Sequence, residues 1–161
     1  MIVVDNCILS SLSKIGRLDL LKNFENLFIT PGVIQEAMKS EDTKIVESIS
    51  LALDDWLSIK SIKKTQDITD IQSKHPALSN IDCEMILLCK EEKGILLSDD
   101  TKLINISENE FNIETFDLLE LLLALKNKEK IKSDDINKIV NDLEEKDRYI
   151  FSKDKLKSLI D

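Results

Sequence analysis

Three features of this chain predict an α/β fold: a three-layer α/β/α sandwich with a central, mainly parallel sheet. Short apolar runs without polar alternation, Ile2-Val3-Val4, Leu27-Phe28-Ile29 and Ile95-Leu96-Leu97, read as strands buried on both faces. The segments between them carry helical apolar spacing, as expected of crossover helices covering such a sheet. Two of the strands run directly into acids, at Asp5 and at Ser98-Asp99-Asp100. Strand carboxyl ends are where open α/β sheets bind ligands.

The remaining elements follow in order. After the first strand, residues 10–15 and 18–24 read as two short helices broken at Gly16. Thr30-Pro31 supplies a helix N-cap and first helical residue, opening a helix through Met38 that carries Glu36. Residues 41–53 have a helical period, and 56–59 read as a brief strand. Residues 60–79 are polar and poorly periodic, a loop or weak helix in which His75, before Pro76, is an exposed turn residue. Ser79-x-x-Asp82 has the form of a capping box, opening a helix to Lys93 that Gly94 stops. A helix follows the acids at 98–100, then a short strand over 112–115 and a strongly apolar helix over 116–126. Residues 133–143 and 153–160 are two more amphipathic helices. Their stripes, Ile136, Ile139, Val140, Leu143 and Leu156, Leu159, Ile160, need either the chain's own core or a second subunit as partner.

Composition narrows the function classes. The 161 residues suit one domain with a self-sufficient core, and 3 Gly with 2 Pro leave little room for linkers. No apolar run approaches a membrane span and no signal-peptide pattern opens the chain, so a cytoplasmic protein is expected. Cys7, Cys83 and Cys89 form no CxxC, which signals neither a disulfide framework nor a zinc ribbon. They read as buried thiols. With 22 Lys+Arg against 31 Asp+Glu the net charge is −9, the wrong sign for holding nucleic acid by bulk electrostatics. The basic groups at Lys14/Arg17, at Lys60, Lys63 and Lys64, and over 126–132 read as solvated faces.

A phosphate-bearing substrate would therefore need local help. Acids gathered in a cleft repel one another unless a cation neutralises them, and a ligand set of carboxylates suits hard Mg²⁺ or Mn²⁺ rather than zinc. Such ions activate water and offset charge developing on a phosphate. Asp5, Asp99 and Asp100 face one sheet edge by construction. Each also has an ordinary reading as a helix cap, and Glu36 as a solvated helix acid. Asp82, opening the helix that leads into the 95–97 strand, is expected to start from the opposite edge. Only an offset of that helix brings its first turn to the other acids.

The order of these motifs resembles the PIN-domain family of metal-dependent ribonucleases, which includes the toxins of prokaryotic toxin–antitoxin pairs. The likeness spans nearly the whole chain, through IVVDNCILSSLSKIGRLDLL, LFITPGVIQEAM, LSNIDCEMILLCKEEKGILLSDDTKL and IKSDDINKIVNDLEEKDRYIFSKDKLKSLI. It is nearest to a branch with a helical C-terminal tail. The resemblance implies that Asp5, Glu36, Asp82 and Asp99 or Asp100 meet in one catalytic, metal-holding cleft, with Asn6 and Ser98 in support. It also implies Mg²⁺ or Mn²⁺ as cofactor, RNA as substrate, an antitoxin protein or a second copy as partner, and no membrane. In its terms residues 1–130 form the nuclease domain and 131–161 a helical extension packed on it. The chain departs from the family at Asn6 and Cys7, where Thr and then Ser or Asn are common, and mildly at Asp82, where this branch often has Glu.

Two rivals stand beside it. A catalytically weak PIN-like module acting through protein contacts or dimerisation would suit the acidic charge and the C-terminal stripes. A haloacid-dehalogenase-like phosphohydrolase also begins with a strand-end Asp, but needs another Asp two residues on, where this chain has Cys7.

Overall fold

The computed structural model describes residues 1–160. Its five strands form one sheet in the order β3-β2-β1-β4-β5, every neighbouring pair parallel. They are β1 (Ile2–Val4), β2 (Leu27–Ile29), β3 (Ser58–Ile59), β4 (Ile95–Leu97) and β5 (Thr115–Phe116). The chain runs outward from β1 to β3, then crosses back to place β4 on the other side of β1. That reversal makes β1/β4 the topological switch point, where neighbouring crossovers leave on opposite faces and a crevice opens. The register pairs Val4 with Leu97, so Asp5 and Ser98 leave the sheet side by side.

Nine helices cover the sheet: α1 (Asn6–Lys14), α2 (Pro31–Ala37), α3 (Thr43–Asp55), α4 (Gln66–Lys74), α5 (Asn80–Glu92), α6 (Thr101–Phe111), α7 (Leu118–Asn127), α8 (Ser133–Asp147) and α9 (Lys153–Ile160), among the described residues. Helix α5 packs on β1 and β4 with α4 and α6 beside it, while α1 packs with α2, α3 and α8. The core between the layers includes Val3, Val4, Ile8, Leu12, Ile29, Met85, Leu88 and Leu96, all buried. The C-terminal stripe residues Ile136, Ile139, Val140, Leu143 and Leu159 are buried in this same core, with α8 against α1 and α9 against α7. The chain itself supplies their partner surface. No helix among the described residues is long and apolar enough to cross a membrane.

Several boundaries differ from the sequence reading. The first helix begins at Asn6, because Ile8 and Leu9 already belong to its buried face with Leu12. Residues 18–23 form a 3₁₀ turn, not an α-helix. The weakly periodic stretch holds α4, seated by Ile71. His75 ends that helix half-buried, edge-on to Phe111 and 2.9 Å from Glu110 Oε2, instead of standing exposed in a turn. Helix α5 stops on Lys93, which takes the left-handed conformation (φ 51°), not on Gly94. Gly94 serves close approach: a Cβ there would meet the Met1 carbonyl oxygen at 3.3 Å. The fifth strand falls at 115–116, later than expected, so Phe116 is a strand residue and the apolar helix starts only after Asp117.

Leu88 is fully buried in the middle of α5. Leu88→Ala should cost about 2–5 kcal/mol of unfolding free energy, measured by denaturant titration.

Candidate metal centre

Asp5 follows β1 at the N-cap position of α1, with extended backbone (φ −80°, ψ 152°), yet its carboxylate makes no capping bond into that helix. Its Oδ2 instead accepts from the Ser98 hydroxyl at 2.6 Å and from the Cys7 thiol at 3.1 Å. Ser98 is fully buried just past β4, and Asp5 is only 9% exposed. The ordinary reading of Asp5 as a helix cap therefore fails. Both hydrogen bonds fall on one oxygen and leave Oδ1 outside them.

Beyond β4 the two consecutive acids divide their work. Asp100 is exposed, and its Oδ1 caps α6, accepting from Lys102 N at 2.8 Å and Leu103 N at 3.0 Å. Its own backbone N–H donates to Ser98 Oγ at 3.1 Å. Asp99 turns inward: Oδ1 accepts from Leu118 N at 2.9 Å and from the Tyr149 hydroxyl at 3.0 Å, while Oδ2 is buried with no hydrogen-bond partner. The Asp99 N–H donates to Cys7 Sγ at 3.3 Å, tying this loop to the start of α1.

Glu36 and Asp82 arrive on helices. Thr30 caps α2 by accepting from Val33 N at 3.3 Å and holds Glu36, exposed, in the last turn. The capping box of α5 is real: Ser79 Oγ accepts from Asp82 N at 3.1 Å and Asp82 Oδ2 accepts from Ser79 N at 2.7 Å. The opposite-edge expectation for Asp82 is wrong, for a simple reason. A crossover helix runs antiparallel to the parallel strand it feeds, so its N-terminus stands at the carboxyl edge. At the other end of α5, Gly94 packs against Met1, where β1 begins. Glu84 accepts from Gly32 N at 3.0 Å, bolting α5 to α2 and so fixing Asp82's helix relative to that of Glu36. A Cβ on Gly32 would come within 2.7 Å of that Glu84 oxygen.

Electrostatics shows which acids sense one another. Burial raises the Asp5 carboxyl above its ordinary range, the Ser98 and Cys7 bonds pull it partly back, and the Asp82 charge raises it again. Glu36 is raised by desolvation and then by the charges of Asp5 and Asp82, while the Asn6 side chain draws it down. Asp99 is raised by burial and by repulsion from Asp117 and Asp5, against the stabilising Leu118 and Tyr149 bonds. Asp5 is thus the hub to which Glu36, Asp82 and Asp99 are each coupled. Among the described residues no group of three His, Cys, Asp or Glu side chains is arranged to hold a metal ion as it stands. The donors nevertheless suit a hard divalent cation: carboxylate oxygens in mutual repulsion, with one buried oxygen, Asp99 Oδ2, lacking any partner.

Four contributors escaped the sequence reading. Cys7 donates to Asp5, its thiol pushed upward by burial and by the Asp5 charge, so it serves as a neutral donor. Asp117 caps α7 and adds negative charge beside Asp99; it follows β5 as Asp5 follows β1, a signal hidden by the misplaced strand. Tyr149 and Lys155 come from the C-terminal segment, Lys155 pairing with Asp117, and nothing in their spacing points to the site. Many of the basic groups are spent on the chain's own acids and carbonyls: Lys14 on Asp147, Lys60 and Lys63 on Glu92, Lys126 on Leu159 O.

A parallel sheet ordered 3-2-1-4-5 with acids at its switch point defines a class of α/β proteins that gather carboxylates at one edge. Comparison with known proteins names the family. The family model described as DUF3368, a PIN domain, matches residues 1–160. This chain belongs to the PIN-domain family, whose members are generally nucleases that bind divalent metals. It is similar to a PilT N-terminus domain protein of the hyperthermophilic archaeon Sulfolobus solfataricus P2, with 20% identity, 76% of this chain and 91% of that one covered, and a TM-score of 0.52. It is also similar to PAE2754 of Pyrobaculum aerophilum, with 16% identity, 78% and 95% covered, and a TM-score of 0.58. These likenesses establish the shared fold. No curated protein matches the chain.

Because the folded-state affinity of Asp5 for its proton is raised, its ionisation opposes folding. That penalty is absent below the ordinary carboxylate range, about pH 4, and grows as pH rises through the raised value. In Asp5→Asn the amide oxygen can take both donors of Oδ2 while the charge is lost. The metal-free variant should melt above the metal-free wild type at pH 7, and the difference should vanish near about pH 4, as read by calorimetry.

Proposed function

We propose that this PIN domain is a Mg²⁺- or Mn²⁺-dependent endoribonuclease whose cation is held by Asp5, Glu36, Asp82 and Asp99. The observation that carries this reading is the coupling of three acids to the buried Asp5, with Asp99 Oδ2 left without a partner. Asp99 is preferred to Asp100 as the strand-end ligand because it senses the Asp5 charge and keeps a buried Oδ2 without a partner, whereas the exposed Asp100 caps α6. Bound Mg²⁺ or Mn²⁺ supplies Lewis-acid chemistry, lowering the pKa of water and offsetting charge on a scissile phosphate. Ser98 and Cys7 hold Asp5 in one orientation, and the Asn6 side chain draws the Glu36 carboxyl down. One of the carboxylates orients the attacking water. In this reading RNA is the substrate, the cytoplasm the compartment, and an antitoxin the partner that would restrain a toxic activity. The C-terminal residues 131–160 are read as an extension of the nuclease domain, which occupies residues 1–130.

A second reading, an interaction module with little catalysis, draws support from the net charge of −9 and from lysines already paired within the chain. One assay separates the two. Purified protein is incubated with RNA in Mg²⁺, in Mn²⁺ and in EDTA, beside Asp5→Asn. Metal-dependent cleavage that both EDTA and the substitution abolish is expected, with growth arrest on expression of the wild type alone. Cleavage surviving both treatments would reject the assigned site, and no cleavage with either metal would favour the interaction module.

A further inference from the structure

The C-terminal segment reaches the acids along a defined path. At the end of α8, Asp147 Oδ2 accepts from the Ser11 hydroxyl at 2.6 Å and Asp147 Oδ1 from Lys14 Nζ at 2.5 Å, fixing α8 to α1. Arg148 follows in the left-handed conformation (φ 55°), and Tyr149 N closes the turn on Leu143 O at 3.0 Å. The chain is thereby turned off the helix axis. Tyr149 then sends its hydroxyl to Asp99 Oδ1, and its ring meets that of Phe151 with centroids 4.6 Å apart. Farther on, α9 is held to α7 by Lys155 on Asp117 and by Lys126 Nζ donating to Leu159 O at 2.9 Å. Tyr149 is thus held between two anchored helices.

We propose that Tyr149 is a positioning residue for Asp99: together with Leu118 N it fixes Oδ1, so that only Oδ2 is offered to the divalent cation. The inference rests on the metal-centre reading above. A carboxylate held through one oxygen by two donors keeps one orientation, and its other oxygen becomes a single directed ligand. Oδ1 alone makes the carboxylate's hydrogen bonds within the chain, and the buried Oδ2 is left with no partner. Partners that orient a ligating group commonly matter about 10–100-fold in metal affinity. The charge of Asp117, which Asp99 senses, is met by Lys155 from the same tail.

The test is a calorimetric titration of Mn²⁺ into the metal-free full-length protein, with unfolding midpoints recorded in parallel. Tyr149→Phe keeps the ring and its contact with Phe151 but removes the hydroxyl. Phe151→Leu loosens the same packing but leaves the hydroxyl in place. Tyr149→Phe should bind Mn²⁺ about tenfold more weakly or worse, with Phe151→Leu close to wild type. Equal Mn²⁺ affinity in wild type and Tyr149→Phe would overturn the positioning role and leave the metal centre standing. Equal weakening by both variants would also overturn it, because the tail would then act only as packing. Failure of the wild type itself to take up Mn²⁺ would overturn the metal centre, and this inference with it.

Discussion

Everything at the carboxyl edge of the sheet depends on the tolerance of negative charge around Asp5. That carboxylate is almost wholly buried, at the one point where strand order reverses, and it senses the charges of neighbours brought by other elements. Like charges in a low-dielectric crevice oppose folding unless something neutralises them. The chain meets part of the cost with neutral donors: Ser98 and Cys7 on Asp5, Leu118 N and Tyr149 on Asp99. Hydrogen bonds soften the charge without removing it, and the unpartnered Asp99 Oδ2 marks where compensation stops. Acids perturbed by burial and by one another cluster at functional sites, which supports the metal-centre reading proposed for these residues.

How much of this the sequence discloses depends on the range of the interaction. Strands whose two faces are buried, and an acid directly behind them, are visible as Val3-Val4-Asp5 and Leu96-Leu97-Ser98-Asp99, because burial and topology both act on consecutive residues. The Thr30-Pro31 cap and the Ser79/Asp82 box are equally local, and both form. What failed was directional or distant. Asp82 stands at the carboxyl edge and not the opposite one because a crossover helix runs antiparallel to the strand it feeds, a direction that residue spacing does not display. Asp117 was hidden by a strand only 2 residues long, whose extent is set by pairing with β4 and not by its own pattern. Tyr149 lies 50 residues from Asp99, and no local periodicity encodes a contact of that span.

The helical tail illustrates the same lesson from the packing side. Its apolar stripes were readable, but their partner was not, since an amphipathic helix looks alike whether it covers its own core or another subunit. Here the stripe of α8 is buried in the chain's own core, and its terminal Asp147 is bonded to Ser11 and Lys14 of α1. Charge behaves similarly: the Lys60/Lys63 and Lys14 groups read as solvated faces in sequence, and in the fold they pair with Glu92 and Asp147. A phosphate approaching this acidic surface gains little from such lysines. Its attraction would have to come from a cation at the acids themselves.

The most direct measurement of that claim is anomalous scattering from crystals soaked in Mn²⁺. The account predicts a peak in the crevice between β1 and β4, within about 2.5 Å of an Asp5 carboxylate oxygen and in contact with Asp99 Oδ2. A well-diffracting soaked crystal with no peak there, or with Mn²⁺ bound only at acids remote from Asp5, would contradict it.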